Sequence, residues 1–318
     1  MSEEDREERS EVDASAERGV PPKAERKPGI RGTIATFLEL VKFEHSIFAL
    51  PYAYIGAFYA AATTTGGLPS PLTLLWITVA MVGARSFAFV VNRAVDSEID
   101  ARNPRTAGRA IPAGLVKAWE LWLFAAIVLA AFLFAIWQLA PITHYLWPIV
   151  LAVFVVYPYL KRFTWLCHYW LGLCLGLAPV GAWAAVTNRL DSPAPWVFGL
   201  AVLFWLAGFD IIYALMDIDC DVRDGIHSVP ADFGVPRALV QSHVCHALAV
   251  ALLVVAGVLV GAGWPYYLGI VAGAAALLYE NLIVTPSDLS RVNFAFFVMN
   301  SVTVLVVFAG ALADRLLR

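Results

Sequence analysis

The sequence predicts an all-α integral membrane protein of about nine transmembrane helices, and three observations predict it. Of 318 residues, 60% are hydrophobic and only 15% charged, with a mean hydropathy of +0.71. A soluble chain of this length carries far more charge, so apolarity on this scale belongs to a protein embedded in a bilayer. The apolar residues also gather into runs of spanning length, at 35–63, 71–96, 118–139, 143–160, 166–187, 195–217, 237–261, 264–285 and 292–314. A helix needs about 20 such residues to cross the hydrocarbon layer. Pro141 and Pro265 are the breaks on which the count turns, with eight or ten spans as alternatives. Third, the remaining charges cluster between the runs.

Residues 1–33 read as a disordered cytoplasmic tail, because a stretch rich in Glu, Arg, Ser and Pro cannot bury a core. It has neither the basic start and apolar core of a signal peptide nor the acid-poor composition of a transit peptide. Residues 34–318 form the transmembrane domain. With the N-terminus inside, sixteen of the 22 Lys and Arg fall in cytoplasmic segments and three (Arg189, Arg315, Arg318) outside. That bias predicts a cytoplasmic N-terminus, an external C-terminus, and all the conspicuous charged loops on the cytoplasmic face of the cell membrane.

The formal net charge of −3 and the absence of basic runs with interleaved aromatics argue against a nucleic-acid partner. Cys167, Cys174, Cys220 and Cys245 show no CxxC spacing and read as inert buried thiols. His243, Cys245 and His246 have no further ligand nearby and do not read as a metal site.

The second run ends in NRAVDSEIDARNPRTAGRAIPAG, from Asn92 to Gly114. On a helix, steps of four put Asn92, Asp96 and Asp100 on one stripe. Arg102, Arg105 and Arg109 follow. Carboxylates facing one way with guanidiniums close by suit Mg²⁺ and a phosphate together, since Mg²⁺ takes few protein ligands and lets phosphate oxygens complete its shell. Arginine grips the remaining oxygens through its planar fork. A solvated charged helix end is the competing explanation for this stretch alone.

A second acidic cluster closes the sixth run in DIIYALMDIDCDVRDGIHSVP. Asp217 and Asp221 share a face and Asp219 points elsewhere. Asp210 and Tyr213 lie on the same stripe, deeper in the membrane, where a carboxylate marks a functional site or pairs with a buried cation such as Arg85. The clusters stand 121 residues apart at equivalent helix ends, which suggests two similar halves. Together they offer five metal-type ligands, Asn92, Asp96, Asp100, Asp217 and Asp221, enough for two Mg²⁺ ions bridged by a diphosphate. Between them, Lys161 and Arg162 end the fourth span, either as positive-inside anchors or as phosphate ligands. Lys42, Glu44 and His45, at the first span's boundary, are either interfacial residues or part of the site.

These motifs resemble those of the UbiA superfamily of intramembrane aromatic prenyltransferases. N-x3-D-x3-D is matched by Asn92, Asp96 and Asp100, and D-x3-D by Asp217 and Asp221, with Gly225 following. R-T-x-x-R is matched by Arg105 to Arg109, and Y-x3-K by Tyr157 and Lys161. The resemblance covers about residues 36 to 315. It implies nine spans around a central cavity opening sideways to lipid, and Mg²⁺ held by the two aspartate motifs. It further implies an isoprenyl diphosphate bound by Arg105, Arg109 and Lys161, with Tyr157 beside it. FEHSIFALP, NPRTAGRAIPAG and GIHSVP look most like the 4-hydroxybenzoate polyprenyltransferase group. Its relatives that prenylate 1,4-dihydroxy-6-naphthoate for menaquinone supply an alternative acceptor. His45 and Ala110 depart from the lysine and proline that many members carry there.

The activity so implied is Mg²⁺-dependent transfer of a polyprenyl group to an aromatic acid in respiratory quinone synthesis. Asp210 or Tyr213 would orient the phenol or accept its proton. An ion-coupled transporter is the rival of another class, but it expects its charges near mid-membrane rather than at helix ends. Two-metal phosphotransferases acting on CDP-alcohols carry a D-G-x2-A-R block that is missing here.

Overall fold

In the structure, a computed structural model, residues 29–41 and 46–318 are described. Lys42, Glu44 and His45 lie outside the described residues, as does the tail to residue 28. Among the described residues, eight helices are long and apolar enough to cross a membrane. The run at 35–63 is not one helix. It divides into α1 (Gly29–Leu40), which begins inside the boundary drawn at residue 33, and α2 (Ser46–Thr64). Helix α2 occupies the ninth expected position, with Tyr52, Ala53, Ile55, Ala57, Tyr59 and Ala60 at most 1% exposed. An apolar helix buried almost all round belongs inside a bundle.

The other helices follow the apolar runs closely. Helix α3 (Pro71–Val95) opens on Pro71 behind Ser70, whose Oγ accepts from the Thr73 N–H at 3.1 Å. The short α4 (Ser97–Arg102), α5 (Ala118–Trp137), α6 (Thr143–Leu160) and α7 (Cys167–Thr187) come next. Pro141 falls in the link between α5 and α6, and so separates two helices as the sequence pattern implies. Helix α8 (Ala194–Ala214) continues through a 3₁₀ turn, Leu215–Asp217, into α9 (Ile218–Asp224). Then come α10 (Val229–Phe233), α11 (Val235–Leu259) and α12 (Trp264–Ile283), in which Pro265 sits in the first turn, where its missing N–H is harmless. The last span runs from α13 (Val292–Phe294) through a π turn, Ala295–Met299, into α14 (Asn300–Leu316).

Without a hydrophobic drive between helices in lipid, close backbone approach has to hold them together, and small residues permit it. Helices α7 and α8 meet at Gly172, Gly176 and Gly199. A Cβ on Gly176 would stand 2.5 Å from the Gly199 carbonyl oxygen, and one on Gly172 2.3 Å from that of Leu203. Helices α12 and α14 cross in the same way at Gly269 and Gly310. The aromatic centre of the core, Tyr52, Phe198, Trp205 and Tyr266, fills the space between α2, α8 and α12. A polar clamp inside it centres on Asn300, with Glu280 Oε2 left buried without a hydrogen bond. The Asn300 amide donates to Glu280 Oε1 at 2.9 Å and to the Ala295 carbonyl freed by the π turn, and its oxygen accepts from Trp205 Nε1 at 3.0 Å. Trp137, Tyr145, Trp196 and Trp264 are exposed near one end of the bundle, and Trp119 and Phe163 near the other, as membrane-interface belts would be.

Interhelix bonds sort the loops into two ends. At one, Ile142 donates to Asn188 Oδ1, Gly263 to Asp314 Oδ1, and Arg315 to the Gly66 carbonyl. At the other lie the segments after α3, α6 and α8. The acidic and basic motifs are all at that second end.

Candidate active site

The second end is assembled from two breaks in apolar helices, at Asp96 and Asp217, and the end of α6. Helix α3 stops at Asp96 (φ −91°, ψ 1°), yet the i→i−4 bonds continue across it, Asp96 N–H to the Asn92 carbonyl at 2.9 Å and Asp100 N–H to the Asp96 carbonyl at 2.8 Å. The stripe of Asn92, Asp96 and Asp100 therefore survives a change of helix. The second motif repeats the device. Asp217 (φ −111°, ψ 2°) ends the 3₁₀ turn and heads α9, which Gly225 closes in the left-handed region at φ 67°. This likeness of backbone is the structural counterpart of the 121-residue spacing.

The two motifs face one mouth. Arg105, from the loop after α4, donates through Nε to Asp217 Oδ1 at 2.8 Å, through Nη2 to Oδ2, and through Nη1 to the Tyr213 hydroxyl at 2.7 Å. Asn103 adds a bond to Asp217 Oδ1 at 2.7 Å. Lys161 Nζ is 2.6 Å from Asp96 Oδ2, and Arg109 Nη1 is 2.7 Å from Asp100 Oδ1. The Lys161 carbonyl accepts from the His227 N–H at 2.7 Å, which ties the end of α6 to the loop behind the second motif. Each cation expected to hold phosphate is thus paired with a carboxylate expected to hold metal. Of the three arginines in the first loop, Arg102 turns outward to Asp224 and only Arg105 and Arg109 turn in. Tyr157 makes no hydrogen bond among the described residues. Asp219 is exposed and takes no part.

Several partners were not legible in sequence. Arg93 is buried, lies over Phe89 and stands 3.6 Å from Asp100 Oδ2. Arg162 caps the α3 end through the Val95 carbonyl at 2.8 Å. Ser228 donates to Asp221 Oδ2 at 3.0 Å while its Oγ accepts from the Ala231 N–H. The partner of Asp210 is His168, at 2.7 Å, and not Arg85, which donates to the Val41 carbonyl and stacks on Phe89. A serine at a helix N-cap and an asparagine before Pro104 were readable as local turns, but nothing local announces their carboxylate partners. His246 bonds Asn281, and Cys245 meets the Tyr169 hydroxyl, so that cluster is packing.

Whether the residues fit a metal can be judged from their own atoms. Asp96 and Asp100 are 3% and 5% exposed, and Asp96 Oδ1 and Asp100 Oδ2 are buried without any hydrogen bond. Burial pushes the Asp96 carboxyl above its usual range, with Lys161 opposing. Arg162, 3.8 Å from Asp96 Oδ1, and Arg93, 3.6 Å from Asp100 Oδ2, stand beyond hydrogen-bond reach, and an all-oxygen donor set is what Mg²⁺ takes. Among the described residues no three acidic, His or Cys side chains already stand as a cage; Asp96, Asp100 and Asp217 are each held by a cation and Asp221 by Ser228. The set fits a divalent cation arriving together with an anion that draws the cations away.

What the fold and this mouth define is a multi-pass helical membrane protein with paired acidic motifs at one end. The chain belongs to the UbiA prenyltransferase family, whose model matches residues 51–302. The 4-hydroxybenzoate octaprenyltransferase of Cupriavidus metallidurans is 31% identical over 294 residues, 92% of this chain and 98% of that protein. The protein of the same name from Cupriavidus necator is 31% identical over 280 residues, 87% of this chain and 96% of that one. Among solved structures, the apo UbiA homolog of Aeropyrum pernix superposes with a TM-score of 0.77 at 32% identity, covering 85% of this chain and 98% of that one. The UbiA homolog of Archaeoglobus fulgidus bound to DMAPP and Mg²⁺ shares the fold, with a TM-score of 0.58 at 19% identity, covering 86% of this chain and 99% of that one.

Proposed function

We propose that residues 34–318 transfer a polyprenyl group from an isoprenyl diphosphate to an aromatic acid of the 4-hydroxybenzoate type, in respiratory quinone synthesis and with Mg²⁺. The observation that carries this reading is the pairing of Lys161, Arg105 and Arg109 with Asp96, Asp217 and Asp100 at one mouth. Entry of a magnesium diphosphate exchanges partners. The three cations turn from carboxylate to phosphate oxygens and release Asp96, Asp100 and Asp217, which with Asn92 and Asp221 would hold the metal. Bound Mg²⁺ would supply neutralisation of the charge gathering on departing pyrophosphate. The names of the curated relatives support the acceptor class, and the Mg²⁺ bound to the Archaeoglobus homolog supports the metal.

The C–O bond between the prenyl carbon and the diphosphate breaks with its electron pair leaving on pyrophosphate, held by Arg105, Arg109 and Lys161, with Tyr157 alongside. The ring carbon beside the acceptor's hydroxyl supplies the pair for the new C–C bond. The proton lost from that carbon leaves its pair to restore the aromatic ring, and Asp210 receives it. Tyr213, already accepting from Arg105, lines the route between Asp210 and Asp217. An apolar cavity between α3, α5, α6 and α7, lined by Ile77, Ala84, Phe132, Trp147, Phe154 and Leu177, suits the tail. Ala84 lies eight residues before Asn92, or about 12 Å deeper along α3. The excess of Lys and Arg on the loops of this end supports a cytoplasmic mouth.

The test is an assay on membranes with geranyl diphosphate and Mg²⁺, offering 4-hydroxybenzoate and 1,4-dihydroxy-6-naphthoate in parallel. Prenylation of one acceptor, lost with EDTA and with Asp96→Ala or Asp217→Ala, supports the reading and names the acceptor. Turnover that survives both substitutions removes the two-motif site.

A further inference from the structure

His168 opens α7 at the edge of the mouth, only 3% exposed, and both of its ring nitrogens are engaged. Nε2 lies 3.2 Å from the backbone N–H of Val229, which is a donor and nothing else, so Nε2 accepts. The ring proton is then on Nδ1, and it points at Asp210 Oδ2, 2.7 Å away. One fixed tautomer satisfies both contacts. Asp210 Oδ1 carries no hydrogen bond among the described residues and, unlike Asp96 Oδ1 and Asp100 Oδ2, is not sealed off. The Asp210 side chain is 18% exposed.

The far side of the histidine is equally constrained. Val229 follows Ser228, whose hydroxyl donates to Asp221 and whose Oγ caps α10. Val229 itself is 0% exposed and packs with Ile211, Ile212 and Leu215 of the segment that carries both Asp210 and Asp217. A short chain of bonds, Asp221 to Ser228, then the Val229 N–H to His168 to Asp210, therefore joins the second acidic motif to the deep carboxylate. A hydrogen bond to the second nitrogen of an imidazole is the usual means of fixing its orientation and tautomer.

We propose that His168 is a positioning residue for Asp210, which aims the free carboxylate oxygen at the ring proton that the aromatic acceptor loses and registers it against the second aspartate motif. This rests on the prenyl-transfer reading above. Any buried imidazole needs partners for its nitrogens; what sets His168 apart is that one partner is a carboxylate 18% exposed, with its second oxygen open to the mouth.

The experiment compares wild type with His168→Ala, His168→Asn, His168→Gln, Asp210→Asn and the His168→Ala/Asp210→Asn double variant, with Mg²⁺, geranyl diphosphate and whichever acceptor the wild type prenylates. Asparagine places an amide N–H where Nδ1–H stood, whereas glutamine reaches the Nε2 position. His168→Ala should lose roughly 10- to 100-fold in kcat, with KM for geranyl diphosphate within about twofold of wild type. His168→Asn should recover most of the loss and His168→Gln should not. The double variant should be no slower than Asp210→Asn alone, because two residues acting as one unit are not additive. An alanine variant at wild-type kcat, an asparagine variant no better than alanine, or losses that multiply in the double variant would each overturn the proposal. Should His168→Ala fail to accumulate, the asparagine and glutamine pair decides alone. Wild-type membranes without turnover on any aromatic acceptor overturn the prenyl-transfer reading, and the role of His168 falls with it.

Discussion

Replacing Lys161 with methionine keeps the apolar stem and removes the ammonium that stands 2.6 Å from Asp96 Oδ2. Asp96 is then left with the Asn92 amide at 3.0 Å and Arg162 Nη2 at 3.8 Å. Removing one partner of a buried ion pair costs about 3–5 kcal/mol. The Lys161 side chain is 25% exposed and two other groups still face the carboxylate, so the expected loss is nearer ~2 kcal/mol. In detergent, Lys161→Met should melt ~4 °C or more below wild type without ligand. That gap should narrow when Mg²⁺ and pyrophosphate are added, because Asp96 then has the metal as its partner. Activity should not recover with it. A charge-assisted bond to phosphate contributes about 1.5–3 kcal/mol, so kcat/KM for the prenyl diphosphate should fall roughly 10- to 100-fold. A variant with wild-type melting and a donor kcat/KM within about twofold of wild type would refute the partner exchange.

Other substitutions separate the parts of the same site from the scaffold. Arg105→Ala removes contacts to Asp217 and Tyr213 together and should lower donor kcat/KM by about 100-fold, whereas Tyr213→Phe removes a single charge-assisted bond and should cost roughly 10-fold; steady-state kinetics on both decide whether Arg105 is the larger anchor. Gly176→Val drives side-chain atoms into the Gly199 carbonyl, 2.5 Å from the Cβ position, and should destabilise by ~1–3 kcal/mol, read as a lowered melting point with residual kcat unchanged per folded molecule. Asn300→Leu strips Glu280 of its amide partner and Trp205 of its acceptor and should destabilise by about 2–3 kcal/mol, read in the same melt. Asp221→Asn should weaken Mg²⁺ binding, so that the metal concentration for half activity rises, whereas Asp219→Asn, exposed and apart from the mouth, should behave as wild type.

Much of the candidate site was legible because metal and phosphate chemistry needs particular residue types at helical spacing. Asn92, Asp96 and Asp100, and again Asp217 and Asp221, announce themselves by steps of four at the ends of apolar runs. Arg105, Arg109 and Lys161 announce themselves by standing at the same end. The family resemblance carried by those motifs was matched by the comparison with known proteins. The helix boundaries were legible for a related reason. In lipid every backbone polar group has to be satisfied within its own helix, so spans are long, apolar and hard to mistake. Hydropathy failed at 35–63, where two helices share one apolar run. It drew its boundaries at Asp96 and Asp217 but not the short helices that continue beyond them, Ser97–Arg102 and Ile218–Asp224, because a one-residue change of dihedral leaves no mark on composition.

By itself the sequence determined a multi-pass helical membrane protein and the two acidic motifs, since hydropathy and helical periodicity are properties of local stretches. Which group pairs with which was decided only by the tertiary structure. Arg105 and Asp217 are 112 residues apart, Lys161 and Asp96 are 65, and His168 and Asp210 are 42. No local pattern encodes a contact at such separations. The crossing of α7 and α8 at Gly176 and Gly199 sets the His168–Asp210 pair, and the other two are set by which ends of α3, α6 and α8 the bundle brings to one mouth.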